Sequence, residues 1–158
     1  MNAWFYLNLM TFLYALLYFL WRLPTSVSLF FALTFGLLGL LFILLNWNMH
    51  ALFSKIRKLT SRKKRIQIAK HARKIMPYHI HIGILALVFV LAHLLLINDL
   101  YSFSWHLKTV SGYGAFIGLI IVLFSGWLRR IRASRKNRLF HLYTSFFLFL
   151  LIVWHLVL

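Results

Sequence analysis

Four histidines stand at a spacing that could build metal chemistry inside an apolar chain. Fourteen residues separate His79 from His93, and the same number separates His141 from His155. On an α-helix that step advances about 21 Å and returns to within about 40° of the starting face. Each helix would then show two imidazoles on one side, at two depths. A lone histidine in an apolar segment is ordinarily a hydrogen-bonded packing residue. Two equal spacings on two helices call for a common cause, because ionisable side chains in membrane helices are costly and mark function.

The elements that must position these histidines are set by composition. Hydrophobic residues form 63% of the 158-residue chain and aromatics 18%, which suits lipid rather than water as the surrounding solvent. Spanning a bilayer takes ~20 apolar residues. Five stretches qualify: Trp4 to Trp21, Val27 to Trp47, Tyr78 to Ile97, Val110 to Trp127 and Leu139 to Leu158. The sequence therefore predicts an all-α, polytopic bundle of five transmembrane helices, forming a single domain over 1–158. A short turn, Arg22 to Ser26 with Pro24, makes the first two a hairpin. The first segment lacks a basic leader and a small-residue cleavage site, so it reads as a retained helix.

Sixteen of the eighteen Lys and Arg residues fall in two segments, 48–77 and 128–138. These read as basic loops on one side of the membrane, and the positive-inside rule makes that side cytoplasmic. The N-terminus is then expected inside and the C-terminus outside, in a multi-pass protein of the cell membrane. Leu52, Ile56 and Leu59 recur at helical spacing, so part of the first loop is expected along the membrane surface. Nucleic acid is not expected as a partner, since the positive charges flank membrane helices. Anionic lipid is.

With one span between them, the third and fifth helices run parallel. His79 then shares a depth with His141 near the cytoplasm, and His93 with His155 near the outer face. Two stacked cross-helix imidazole pairs are what two six-coordinate haems need for their axial positions. A closed zinc site would gather its ligands in one place, which residues about 21 Å apart cannot do. The chain has no cysteine, which removes iron–sulfur clusters and c-type haem attachment. Its single acid, Asp99, leaves no carboxylates for a di-iron centre or a proton relay.

Other residues are weighed for the same site. Gly83, one turn after His79, is a position where a flat macrocycle would press on the backbone. Arg129, Arg130 and Arg138 are candidates to pair with inner haem propionates and Lys108 with outer ones, with His106 a further outer candidate. His81 is rotated off the ligand face. His50 and His71 read as solvated. Gly112, Gly114 and Gly118 lack the dinucleotide context and read as close helix packing.

At these histidines the sequence resembles diheme membrane cytochromes b, and most nearly the ferric-reductase-like transmembrane domain of ferric reductases and NADPH oxidases. That family carries its haem histidines on its third and fifth helices, thirteen or fourteen residues apart, behind basic cytoplasmic loops. The resemblance covers about Val27 to the end and rests on His79, His93, His141 and His155. It implies two haems b, electron transfer through the membrane, and an oxidoreductase role. Family members usually continue through a sixth helix into a flavin and nicotinamide domain. Here the sequence ends at Leu158 and no nucleotide motif is present, so the dehydrogenase part is expected on another protein.

The expected function is electron transport from a cytoplasmic donor, a flavoprotein or a quinol, to an extracytoplasmic acceptor, as the membrane subunit of a larger system. Docking of an acidic donor would use the basic inner face. Tyr101, Phe103 and Trp105 are expected at the outer interface. Two alternatives stand beside this: a quinone-reactive haem anchor of an oxidoreductase complex, and a haem-free structural subunit whose histidines only pack.

Overall fold

The computed structural model describes residues 3–21, 24–101 and 105–158; Arg22 and Phe103, which carried expectations, lie outside them. The described residues form five helices: α1 (Ala3–Trp21), α2 (Val27–Lys58), α3 (Arg62–Tyr101), α4 (Leu107–Ile131) and α5 (Arg135–Val157). All five are long and apolar enough to cross a membrane. Serines start two of them. Ser26 Oγ accepts from the Leu29 N–H at 3.2 Å, and Ser134 Oγ accepts from the Asn137 N–H at 3.1 Å. Such caps are worth about 1 kcal/mol.

The surface also argues for lipid. Leu17, Val88, Phe124, Trp127 and Phe147 are all more than half exposed. In water so much exposed apolar surface would drive association. Against acyl chains it costs nothing, and helices then associate through close van der Waals packing and interhelical hydrogen bonds.

The bundle is two closely packed helix pairs, α2 with α3 and α4 with α5, with α1 laid on α2. Glycines set the close approaches. A Cβ on Gly39 would lie 3.3 Å from the Val90 backbone nitrogen, and one on Gly118 would meet Leu148 and Leu151 at 3.4 and 3.5 Å. Trp47 of α2 stacks on Phe149 of α5 at 5.2 Å between centroids and joins the two halves through a core of Leu40, Leu44, Leu119, Leu148 and Ile152. Asn8 donates to Asn48 at 2.8 Å, tying α1 to α2. By contrast, α3 and α5 share no extended contact, although they carry the four histidines in question.

The basic segments differ from the loops the sequence predicts. Helix α2 runs on to Lys58 and α3 begins at Arg62, so only residues 59–61 turn the chain. The same happens at 128–138, where α4 continues to Ile131 and α5 starts at Arg135. The physical reason is that Lys, Arg, Ala and Leu are good helix formers whatever their hydropathy. Lys55, Arg57 and Lys58 also sit favourably at the negative end of the α2 dipole. With 32 and 40 residues, α2 and α3 are about 48 and 60 Å long, against a hydrocarbon core of about 30 Å. The hairpin is therefore longer than the membrane is thick, and its basic end forms a helical extension. Ala72 in that extension is buried to 2% exposure, which shows that it is packed, while Arg62, Lys63, Lys64, Arg65, Lys70, Arg73 and Lys74 are exposed. Pro77 lies inside α3 and removes the N–H that would bond the Arg73 carbonyl.

Candidate functional site

His79 and His93 face inward from α3, and His141 and His155 from α5. The rings of His79 and His141 stand 6.3 Å apart between centroids, with planes at 81°. Two imidazoles on opposite sides of one first-row metal would have centroids about 6 Å apart, given ~2 Å metal–nitrogen bonds and ~1 Å ring radii. His93 and His155 are likewise in electrostatic reach of each other, as are His79 and His141. The fold thus sets His79 against His141, one of the two cross-helix pairs expected from parallel helices, as a direct ring contact.

Three of the four rings are held by their Nδ1 atoms. His93 Nδ1 lies 2.8 Å from the Ala32 carbonyl oxygen on α2. His155 Nδ1 lies 3.1 Å from the Lys108 carbonyl and 3.0 Å from Ser111 Oγ on α4. His141 Nδ1 lies 2.8 Å from Ser125 Oγ. A carbonyl only accepts, so His93 and His155 donate from Nδ1, which leaves the Nε2 lone pair as the metal-binding end. The fourth ring is different. His79 Nδ1 is buried without a hydrogen-bond partner, and the protein grips this residue by its backbone, where Asn46 Nδ2 donates to the His79 carbonyl at 3.0 Å.

The same three rings lie against glycines. A Cβ on Gly36 would come within 2.9 Å of His93 Nδ1, on Gly112 within 3.0 Å of His155 Cε1, and on Gly126 within 3.3 Å of His141 Cε1. Gly83 has another neighbourhood: its Cβ would meet Leu123 Cδ2 at 3.0 Å and Asn46 Nδ2 at 3.2 Å. These neighbours belong to α4 and α2, so Gly83 lets α3 pack closely against both. Gly114 has nothing within 4 Å.

Among the described residues, one cation is near each pair. Arg129 is in electrostatic reach of both His79 and His141, and Lys108 of both His93 and His155. The Lys108 ammonium also lies over the Tyr18 ring, 5.5 Å from its centroid. Arg130 and Arg138 are exposed at the Arg129 end of the bundle.

The remaining histidines sort by burial. His81, His71 and His106 are exposed, and His71 Nδ1 bonds the Gln67 carbonyl at 2.9 Å. His50 departs from the solvated position expected of it. It is half-buried beside Trp4 and Trp47, at centroid distances of 5.6 and 5.7 Å, because the α2 helix continues past Trp47 and keeps His50 on the face toward α1.

Among the described residues no group of three or more His, Cys, Asp or Glu could hold a metal ion. The protein offers imidazoles two at a time, so a metal held here needs a group that supplies its other ligands. These donors would suit a metal macrocycle: imidazoles facing each other across α3 and α5, the Nε2 lone pair left free on His93 and His155, three of the four rings seated on glycine, and carrier helices that do not close on each other. Sequence reasoning missed Gly36, Gly126, Ala32, Ser111 and Ser125. A signal was present for two pairs of small residues, since Ser111–Gly112 and Ser125–Gly126 repeat at the fourteen-residue interval of the histidines.

Compared with protein-family models, curated proteins and solved structures, the chain matches none.

Proposed function

We propose that this protein is a diheme membrane cytochrome of b type that carries electrons across the cell membrane. The observation that carries the reading is the pair of imidazole sites, one set about 21 Å beyond the other along the helices, each made by facing α3 and α5 side chains. His79 and His141 would hold the iron of the inner haem, and His93 and His155 that of the outer one. When bound, each haem supplies a centre that takes up and releases one electron. The chain's own residues would orient the imidazoles, leave each iron held by the two histidines of its pair, and exclude water with the apolar core. Arg129 and Lys108 would offset the propionate charges at the two ends.

The positive-inside bias puts the basic end in the cytoplasm, with the N-terminus inside and the C-terminus outside. The exposed charges of the α2–α3 extension suit an acidic donor such as a flavoprotein, steered to the inner haem by their field. His93 and His155 would hold the group from which an extracytoplasmic acceptor takes the electron, as in the ferric-reductase-like systems the sequence resembles. Anionic lipid would cover the part of the basic surface at head-group depth.

A second reading, a quinone-reactive anchor, has one observation in its favour. An apolar groove of about 120 Å³ between α1 and α2 is lined by Asn8 and Asn48, and Asn8 Oδ1 is buried without a partner. A quinol hydroxyl could donate there. The two readings part on the reductant: haem reduction by a short-chain quinol that Asn8→Leu abolishes supports the second, and reduction only by a soluble flavoprotein supports the first.

A further inference from the structure

We infer that Ser111–Gly112 and Ser125–Gly126 are two copies of one positioning module on α4, which presents His155 and His141 to their ligand in a single tautomer. The purpose rests on the haem reading above, but the geometry does not. Helices α4 and α5 are antiparallel neighbours, so a step of fourteen residues forward on α4 matches a step of fourteen back on α5. Ser111 therefore meets His155 at 3.0 Å and Ser125 meets His141 at 2.8 Å.

The direction of each hydrogen bond follows from counting protons. A serine hydroxyl has one. Ser125 Oγ gives its proton to the Val122 carbonyl at 2.7 Å, and Ser111 Oγ gives its proton to the Lys108 carbonyl at 2.9 Å. Each hydroxyl then faces its histidine with a lone pair, so the imidazole must donate from Nδ1. Thr144 Oγ1 also approaches Ser125 Oγ, at 3.3 Å, but its own proton has the Phe140 carbonyl at 2.9 Å. Exposure of Ser125 is 0% and of Ser111 1%, so water does not substitute. The glycine that follows each serine lets the ring lie on the helix backbone: a Cβ would stand 3.0 Å from His155 Cε1 and 3.3 Å from His141 Cε1. Serine sets the tautomer, glycine sets the ring position, and Nε2 is left as the free lone pair.

The modules are not equal. His155 has the Lys108 carbonyl as a second acceptor at 3.1 Å, whereas the Val122 carbonyl, the corresponding group beside His141, stands outside hydrogen-bond geometry and leaves Ser125 Oγ as the acceptor at 2.8 Å. Ser125 is accordingly the more exposed to test. The full chain, prepared without haem and with ¹⁵N-labelled histidine, is placed in lipid bilayers and its ring nitrogens are read by solid-state NMR. The wild type is expected to show His141 and His155 protonated at Nδ1 and unprotonated at Nε2. Ser125→Ala should turn His141 into a mixture of both tautomers and leave His155 unchanged, with Ser125→Thr restoring the single form. Ser111→Ala should leave His155 in the Nδ1–H form, held by the Lys108 carbonyl. Nε2-protonated His141 in the wild type, no change in Ser125→Ala, or equal disturbance of both histidines by that variant would overturn the module. A wild type that binds no haem would remove the haem reading while this test stands.

Discussion

The imidazole pair at the basic end and the pair at the opposite end sit on the same two helices, yet the protein holds them differently. At the opposite end both rings donate to backbone carbonyls, of Ala32 and Lys108, and both lie on glycines, Gly36 and Gly112. At the basic end only His141 is held by its ring, through Ser125 and Gly126. His79 is held by its carbonyl through Asn46, and its Nδ1 has no partner. Partners that orient a metal-binding histidine also tune its basicity, and losing them typically costs 10–100-fold in affinity. The pair at the opposite end is thus preorganised on both sides and the pair at the basic end on one, so that in the proposed diheme reading His79 would be the ligand free to adjust.

The largest expected effect separates the two ends outright. Replacing His93 or His155 by Ala should leave one haem per chain, the inner one, and replacing His79 or His141 should leave only the outer. Haem per chain and the spectrum of the remaining haem check this. Equal loss of both haems from all four variants would mean one cooperative site and erase the distinction.

Next come the glycines. Gly36→Ala and Gly112→Ala would drive a methyl to 2.9 and 3.0 Å from a ring, and overpacking of that kind costs about 1–3 kcal/mol. Outer-haem affinity should fall by about 5-fold to 150-fold, the factor that energy implies. Gly126→Ala, at 3.3 Å, should weaken the inner haem less. Titration of haem into the haem-free variants gives the ranking, and a larger loss from Gly126→Ala would reverse the assigned order of rigidity.

A smaller, kinetic effect belongs to the basic end alone. If the α2–α3 extension docks an acidic donor, neutralising Arg62, Lys63, Lys64 and Arg65 together should slow inner-haem reduction several-fold at low salt. The gap should close as the Debye length falls to about 8 Å near physiological ionic strength. A stopped-flow salt series measures it; a rate indifferent to charge and salt would leave these residues to topology and lipid.

The smallest effect is expected from Asn46→Ala. Interhelical hydrogen bonds in membranes average about 0.6 kcal/mol, so the inner haem should loosen by only about threefold and the outer one not at all. Dissociation kinetics of the two haems distinguish these outcomes.

Much of this architecture is legible in the sequence. Five apolar stretches give five helices because lipid leaves the backbone few other choices, and the histidine spacing fixes face and depth through helix geometry alone. The helical extension was hidden, since hydropathy falls after Trp47 and Pro77 looked like a boundary, while Lys and Arg continue a helix as well as Leu does. Gly36 was hidden for a different reason. Its partner His93 is on another helix, and only the register of α2 against α3 reveals the pairing. His50 was misplaced because a polar residue at a helix end reads as solvated unless the flanking Trp4 and Trp47 rings are seen beside it.

The central claim is that each imidazole pair holds one haem iron. The most direct measurement is a pyridine haemochrome assay on the purified full chain, combined with its reduced-minus-oxidised spectrum. Two b-type haems per chain, both low-spin, is the predicted result. A purified, folded chain that carries no haem, or a single one, would contradict it.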